Sequence, residues 1–213
     1  MARHGDQARQ ALLDAAEELF ATVGIDSVSN RRIAEHAGQA NHSAVAYHFG
    51  GRDELIRAIF DRHNESVRRR RADLAARLPA EPGVTDHLRC LVVPVTEHLA
   101  TLPAPTWWAR LIRQLRTTPS TATLTTDIVG SDPLAVTLIE RLLTQLGALP
   151  PDVLTGRTAL LGRMIIDVCA EYEAKVQAGT EKPQWAALGH FLTDACAGML
   201  TAPVTHPDES GFA

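Results

Sequence analysis

Residues 29–55, SNRRIAEHAGQANHSAVAYHFGGRDEL, restrict the fold more than any other stretch of the chain. Ser29 can cap a helix, because its hydroxyl accepts a bond from a backbone N–H that the first turn leaves orphaned. Ile33, Ala34 and Ala37 then share one side of that helix, and Gly38 ends it. Gln39, Ala40 and Asn41 form a turn. A second short helix is expected over residues 42–49, with Val45 and Phe49 inward at i, i+4 and with His42, Ser43, Ala46 and Tyr47 outward. Asp53 is the expected N-cap of a third helix, whose apolar stripe is Leu55, Ile56, Ile59 and Phe60. Two short helices joined by a tight turn, the second exposing small, polar and aromatic side chains, have the dimensions of a unit that enters the DNA major groove. Arg31, in the first turn of its helix, is placed to reach a base edge or a phosphate.

The ordered residues Phe20–x3–Gly24, Ile33-Ala34–x2–Ala37-Gly38, Tyr47-His48-Phe49 and Leu55, with Ala15, Leu19 and Asp53, resemble the DNA-binding domain of the TetR (tetracycline repressor-like) transcriptional regulators. The match covers about the first quarter of the chain, and the combination is far more specific than any single piece. One departure is a turn one residue longer than usual between Ala37-Gly38 and the aromatic end of the recognition helix. The resemblance implies that Ser29 and Asn30 touch backbone phosphate. By the same resemblance, His42, Ser43 and Ala46 face bases, and Tyr47 and His48 bond phosphate. Arg52 stands where the family usually has lysine and would hold another phosphate.

Net charge is −4, which taken alone argues against a polyanionic partner. The first 71 residues, however, carry 11 Arg against 10 Asp and Glu, so the deficit lies in the remainder. Phosphate contact needs a few well-placed cations rather than a basic protein, and Arg3, Arg9, Arg31, Arg32 and Arg52 are candidates. Three widely spaced cysteines (Cys90, Cys169 and Cys196) suit a reducing cytoplasm rather than a disulfide framework. With no apolar run of membrane-spanning length and no signal-like N-terminus, a cytoplasmic protein without membrane contact is expected.

The hydrophobic period is helical throughout, so the expected class is all-α, with nine or ten helices. An N-terminal three-helix helix-turn-helix domain (residues 1–52) is followed by a larger helical ligand-binding and dimerisation domain (53–203) and a disordered tail (204–213). Residues 1–6 form an arm carrying Arg3 and His4, and the first helix occupies residues 7–23. The third helix extends to about Leu78, and a Pro/Gly break over residues 79–83 follows it. Arg68 to Arg71 point around that helix and are expected to be solvated. Further helices are expected over 84–102, kinked or ended at Pro94, and over 106–115, 133–146, 150–177 and 185–200. Residues 117–126 form a loop or a weak helix start.

No catalytic constellation is present: Gly50-Gly51 lacks the Lys-Ser/Thr of a phosphate loop, and no Gly-x-Ser-x-Gly or His-Glu-x-x-His occurs. His36, His42, His48 and His63 lack zinc spacing. His87, Cys90 and His98 fall on one helical face and are expected to form a polar lining rather than a metal or thiol sensor. No metal, cofactor or enzymatic activity is therefore expected. Adjacent Trp107 and Trp108 point about 100° apart on a helix, so one can face a pocket while the other packs. The family encloses a small-molecule pocket among its central helices, and by that resemblance Trp107, Trp108, Leu111, Met164 and Asp167 are ligand candidates. The family also pairs its last two long helices across a two-fold axis. That resemblance makes Leu161, Ile165, Val168, Tyr172, Trp185, Leu188, Leu192, Cys196 and Met199 dimer candidates, with Gly189 and Gly198 permitting close approach.

The expected function is that of a homodimeric transcriptional regulator, a repressor, which binds a palindromic operator in double-stranded DNA and is released by a small-molecule effector. The alternative is an all-α small-molecule-binding protein or enzyme whose head domain no longer binds DNA.

Overall fold

The computed structural model describes residues 2–205, and side chains from Gly5 onward. Ten α-helices follow one another, with a 3-10 turn at Pro119–Thr121 and no strand among the described residues: α1 Ala2–Val23, α2 Asn30–His36, α3 Ala44–Phe49, α4 Arg52–Ala75, α5 Val84–Thr101, α6 Trp108–Thr117, α7 Ala122–Gly130, α8 Pro133–Gln145, α9 Pro151–Gln177 and α10 Trp185–Thr201. The all-α class is as expected. Most of the expected reach of the tail, residues 206–213, lies outside the described residues. No helix among the described residues is long and apolar enough to cross a membrane.

Local rules set most boundaries. The Ser29 hydroxyl accepts from the Arg32 N–H at 3.1 Å and caps α2. Asp132 caps α8 by accepting from the Ala135 N–H at 3.1 Å, with Pro133 in the first turn. The Gly83 N–H donates to Asp86 at 3.0 Å at the start of α5. Gly38 and Gly50, at φ 67° and 83°, end α2 and α3 in the left-handed region that costs glycine nothing.

Other expectations are corrected. The helix α1 already begins at Ala2, so residues 2–6 continue a helix rather than form an arm. Asp53 lies in the first turn of α4, whose N-cap position is Gly51. Pro94 sits inside an unbroken α5, and residues 122–126, expected to be weakly structured, open the full helix α7.

The apolar core runs without a break from the N-terminal three helices into the rest of the chain. Leu12, Phe20, Ile33, Val45, Leu55 and Ile59 continue through Phe60, Trp108 and Leu111 to Leu192, all buried. The start of α4 packs on α1 and α3, and its later turns pack on α5 and α8. We keep 1–52 and 53–203 as a proposed division of labour, with α4 as the shared beam. On the far side, α10 lies along α5, and α9 lies along α6. A Cβ on Gly189 would sit 2.3 Å from the Thr96 hydroxyl, so this glycine serves the α5–α10 contact within the chain. Gly198 has no such neighbour.

The four consecutive arginines are not a solvated run. Arg71 is buried, bonds Asp132 at the start of α8 and donates to the Cys90 carbonyl at 3.3 Å. Arg70 grips Glu97 of α5 with two bonds of 2.6 and 3.1 Å. Arg68 reaches Ser131 at 2.8 Å, and Arg69 alone stays outside, paired with Glu65. Residues that point around a helix can serve three neighbours when the helix is surrounded.

A buried polar chain joins α1, α4 and α5. Glu17 binds Arg62 and, at 2.9 Å, His63; His63 meets His98 at 2.8 Å; His98 meets the Ser66 hydroxyl at 2.7 Å. The Glu17 carboxylate can only accept, so His63 Nε2 donates to it, and the Ser66 hydroxyl also donates to the His63 carbonyl at 3.1 Å. Trp108 forms its floor, stacked on the His63 ring at a centroid distance of 4.2 Å. Burial, reinforced by the neighbouring His63 and only partly opposed by Glu17, pushes His98 down to about 4. As pH falls through the ordinary value of 6.5, an unfolded His98 takes up a proton that the folded one refuses until about pH 4. Stability is thus fully present above pH 6.5 and declines across that window by about 3 kcal/mol. Denaturant titrations at pH 7 and pH 4.5 should show this decline in the native protein and a smaller one in His98→Leu; equal declines would discount His98.

Candidate nucleic-acid interface

The outward face of α2, the following turn and α3 is built by backbone chemistry close at hand. After Gly38 closes α2, the Asn41 side chain accepts from the Ser43 N–H at 2.9 Å, and the Asn41 carbonyl accepts from the Ala44 N–H at 3.0 Å. This Asx turn launches α3 two residues later than the expected start at His42. It also frees the Ser43 hydroxyl, which makes no cap bond. Ala44 and Val45 are buried beneath, which fixes the roll of α3.

The surface produced this way is polar and prominent. Tyr47 is 79% exposed, the most of any large apolar side chain among the described residues. Its ring meets His48 edge-on at 4.9 Å. His42, Ser43 and Ala46 are exposed beside it, and Ser29 is exposed at the start of α2. Arg31 is held by Glu35 through Nε at 2.8 Å, and His42 lies 3.8 Å from the same carboxylate oxygen. The bond from Arg31 draws the Glu35 carboxyl below its ordinary range. The remaining guanidinium N–H groups of Arg31 are left to face outward. Asn30 is half-buried with its Oδ1 unpartnered, so a phosphate contact from it would have to use the amide NH2. Around the rim, Arg9 of α1 covers the Phe49 ring at 4.9 Å, which ties α1 to the end of α3.

Residues 12–59 match the family model of bacterial regulatory proteins, tetR family. The N-terminal domain belongs to the tetR family. The matched residues are a TetR-type helix-turn-helix, a DNA-binding unit by class. No curated protein matches the chain. A solved structure assigned to the TetR-family transcriptional regulators, from Mesorhizobium loti MAFF303099, superposes with a TM-score of 0.49 at 15% identity, covering 92% of this chain and 96% of that one. That likeness is too distant to carry function.

Within the TetR head, one expected phosphate ligand has another occupation. The Arg52 guanidinium turns inward, donating to the Val28 carbonyl at 2.6 Å and to the Ile25 carbonyl, and it lies 4.8 Å from the centre of the Phe20 ring. Burial pulls its pKa down, against the attraction of Asp26 and Asp53. It braces the loop that delivers α2. Arg32, already among the candidate phosphate cations, is exposed in the first turn of α2 and free of that inward role.

The ligand candidates are not brought together. Trp108 and Leu111 are core, Met164 packs in a second apolar cluster with Leu142 and Cys196, and Asp167 pairs with Arg116 at 3.0 Å. Trp107 borders a cavity of about 490 Å³ between α1 and the α5–α6 connection.

The expected dimer set also divides. Trp185, Leu192 and Cys196 are buried within the chain and belong to its own core. The Tyr172 hydroxyl donates to the Lys182 carbonyl at 2.5 Å and accepts from the Gln184 N–H at 2.9 Å, closing the α9–α10 loop. Leu161, Ile165, Val168, Leu188 and Met199 are half-buried. The large apolar side chains that α9 and α10 expose most are Leu160 at 53% and Phe191 at 62%, neither of them in the expected set.

The histidines and Cys90 make no metal cluster among the described residues. Cys90 is buried, and burial pushes its thiol up, away from the thiolate that sensing chemistry needs.

Proposed function

We propose that the protein is a homodimeric repressor that reads a palindromic operator through α3 and the start of α2 and releases it when a small molecule binds. The observation that carries this reading is the exposed Tyr47, set beside Ser43 and Ala46 on a face whose roll is fixed by buried Ala44 and Val45. Ser29, Ser43 and Tyr47 supply neutral donors, and Arg31 and Arg32 the charge, which is the mixture that phosphate positioning and base-edge contact require. The exposed Leu160 and Phe191 favour association through the outer face of α9 and α10, and an isologous pair would present two recognition helices to two half-sites.

The first experiment is a footprint on DNA flanking the coding region, with sedimentation of the same sample. A protected inverted repeat and a dimer support the reading. Loss of protection on random-sequence selection as well as on flanking DNA would leave a helical small-molecule binder or enzyme with a silent head. Tyr47→Ala and Arg32→Ala are each expected to weaken operator binding about ten-fold, with the dimer unchanged. Arg32→Ala should also lower the salt slope by about one. Normal binding by both variants would reject this face.

A further inference from the structure

The cavity beside Trp107 lies where the head meets the rest of the chain. One wall is α1, with Asp14, Glu17 and Glu18; the opposite wall is the α5–α6 connection, with Pro103, Pro105 and Trp107. Its volume of about 490 Å³ falls in the roughly 300–1,000 Å³ range of small-molecule sites. Resting on the reading of the chain as a regulator, we propose that this cleft binds a small organic cation, its ammonium or amidinium on Glu17 and its apolar body against Pro103, Pro105 and Trp107.

The sign of the ligand's charge follows from what faces the space. Three carboxylates line it, and the one arginine there, Arg62, is already shared between Asp14 at 2.5 Å and Glu17. Glu18 is engaged with His36 at 3.1 Å. His63 and His98 spend their ring nitrogens on the buried chain, and burial keeps His98 neutral near pH 7. An anion would meet unbalanced negative charge. Glu17 is the decisive group: its side chain is only 7% exposed, and both of its bonds fall on Oε2, leaving Oε1 without a partner among the described residues. A buried carboxylate with one free oxygen on an open cavity is a place for an incoming N–H donor.

The placement also supplies a route to DNA. Arg62 of α4 holds Asp14 and Glu17 of α1 together, and a cation on Glu17 competes with Arg62 for that carboxylate. Occupancy therefore changes the tie between α1 and α4, the two helices that frame α2 and α3. By linkage, operator DNA and the cation must alter one another's affinity by the same factor.

The test uses dansylcadaverine, an aromatic sulfonamide carrying a primary ammonium, and its N-acetylated counterpart, which keeps the shape and loses the charge. Each is titrated by fluorescence against the full chain without DNA. The ammonium probe is expected to bind saturably and about ten-fold more tightly than the acetylated one. Glu17→Gln and Trp107→Ala should each weaken the ammonium probe about ten-fold, with thermal unfolding reporting that each variant is folded. No saturable binding, or equal affinity of the two probes for the native protein, overturns the site whatever the variants do. Binding of the probe by a chain that fails to shift DNA would sink the regulatory reading and leave the site standing. A DNA shift without probe binding would do the reverse.

Discussion

Arg52→Ala is expected to destabilise the protein by about 3–5 kcal/mol, not merely to weaken its grip on DNA. The guanidinium makes two charge-assisted bonds to the Ile25 and Val28 carbonyls, each worth roughly 1.5–3 kcal/mol, and faces the Phe20 ring, worth about another 0.5–1 kcal/mol. Alanine leaves the Val28 carbonyl without its arginine donor, leaves Ile25 only the 3.3 Å bond from the Val28 N–H, and removes the lid over Phe20. Lysine cannot reach both carbonyls with a planar fork, so Arg52→Lys should recover only part of the loss. Urea unfolding measures the stability. Operator titration at several salt concentrations, well below the melting point, provides the contrast. If Arg52 were a phosphate ligand, the slope of affinity against salt would fall by about one while stability stayed unchanged. A brace gives the opposite pattern.

Glu173→Ala is expected to be as damaging, at about 3–5 kcal/mol. This carboxylate, from the interior of α9, is fully buried and accepts from the Ala109 and Arg110 N–H groups at 3.1 Å each. It also accepts from the Thr106 hydroxyl at 3.1 Å and from Arg110 Nε at 3.0 Å. It thus caps α6 from another helix and neutralises the arginine that covers Trp107 at 4.3 Å. Burial raises the Glu173 pKa, with the bonds from Arg110 and the α6 backbone opposing it. Glu173→Gln keeps one acceptor oxygen but sets its NH2 against the donors on the other side and leaves Arg110 without a counter-charge, so it should recover only part of the alanine loss. Equal losses in the two variants, read by urea unfolding, would mean that the charge, and not the capping, holds α6 in place.

The parts of the structure that were legible in sequence are those decided within a few residues. The Ser29 cap, the glycine stop at 38 and the apolar face of Ile33, Ala34 and Val45 are local matters, and together they specify the head. The helix expected over 133–146 is there for the same reason, as α8, with leucines four apart and Leu138 and Leu142 buried. Arg52 was misread because the groups it serves, Ile25 and Val28, lie more than twenty residues away, and an arginine at a helix start looks alike whether it faces a phosphate or a carbonyl. Trp185, Leu192 and Cys196 form a true apolar stripe, but periodicity does not say whether a stripe meets its own chain or a second copy. Here α5 takes it, and the exposed Phe191 on another side of α10 went unnoticed. The cleft at Glu17 was invisible for a related reason: its walls come from segments some ninety residues apart.

The three cysteines have a practical corollary. All are buried, and burial lifts Cys169 to about 12 and Cys196 to about 11, with Cys90 raised as well. In the folded protein they are poor targets for maleimide, so a single cysteine introduced on the exposed surface of α3 would take a spin label or dye almost alone. The native background is expected to be silent, so a spectroscopic ruler between the two copies of α3 in the proposed dimer would need no prior removal of core thiols.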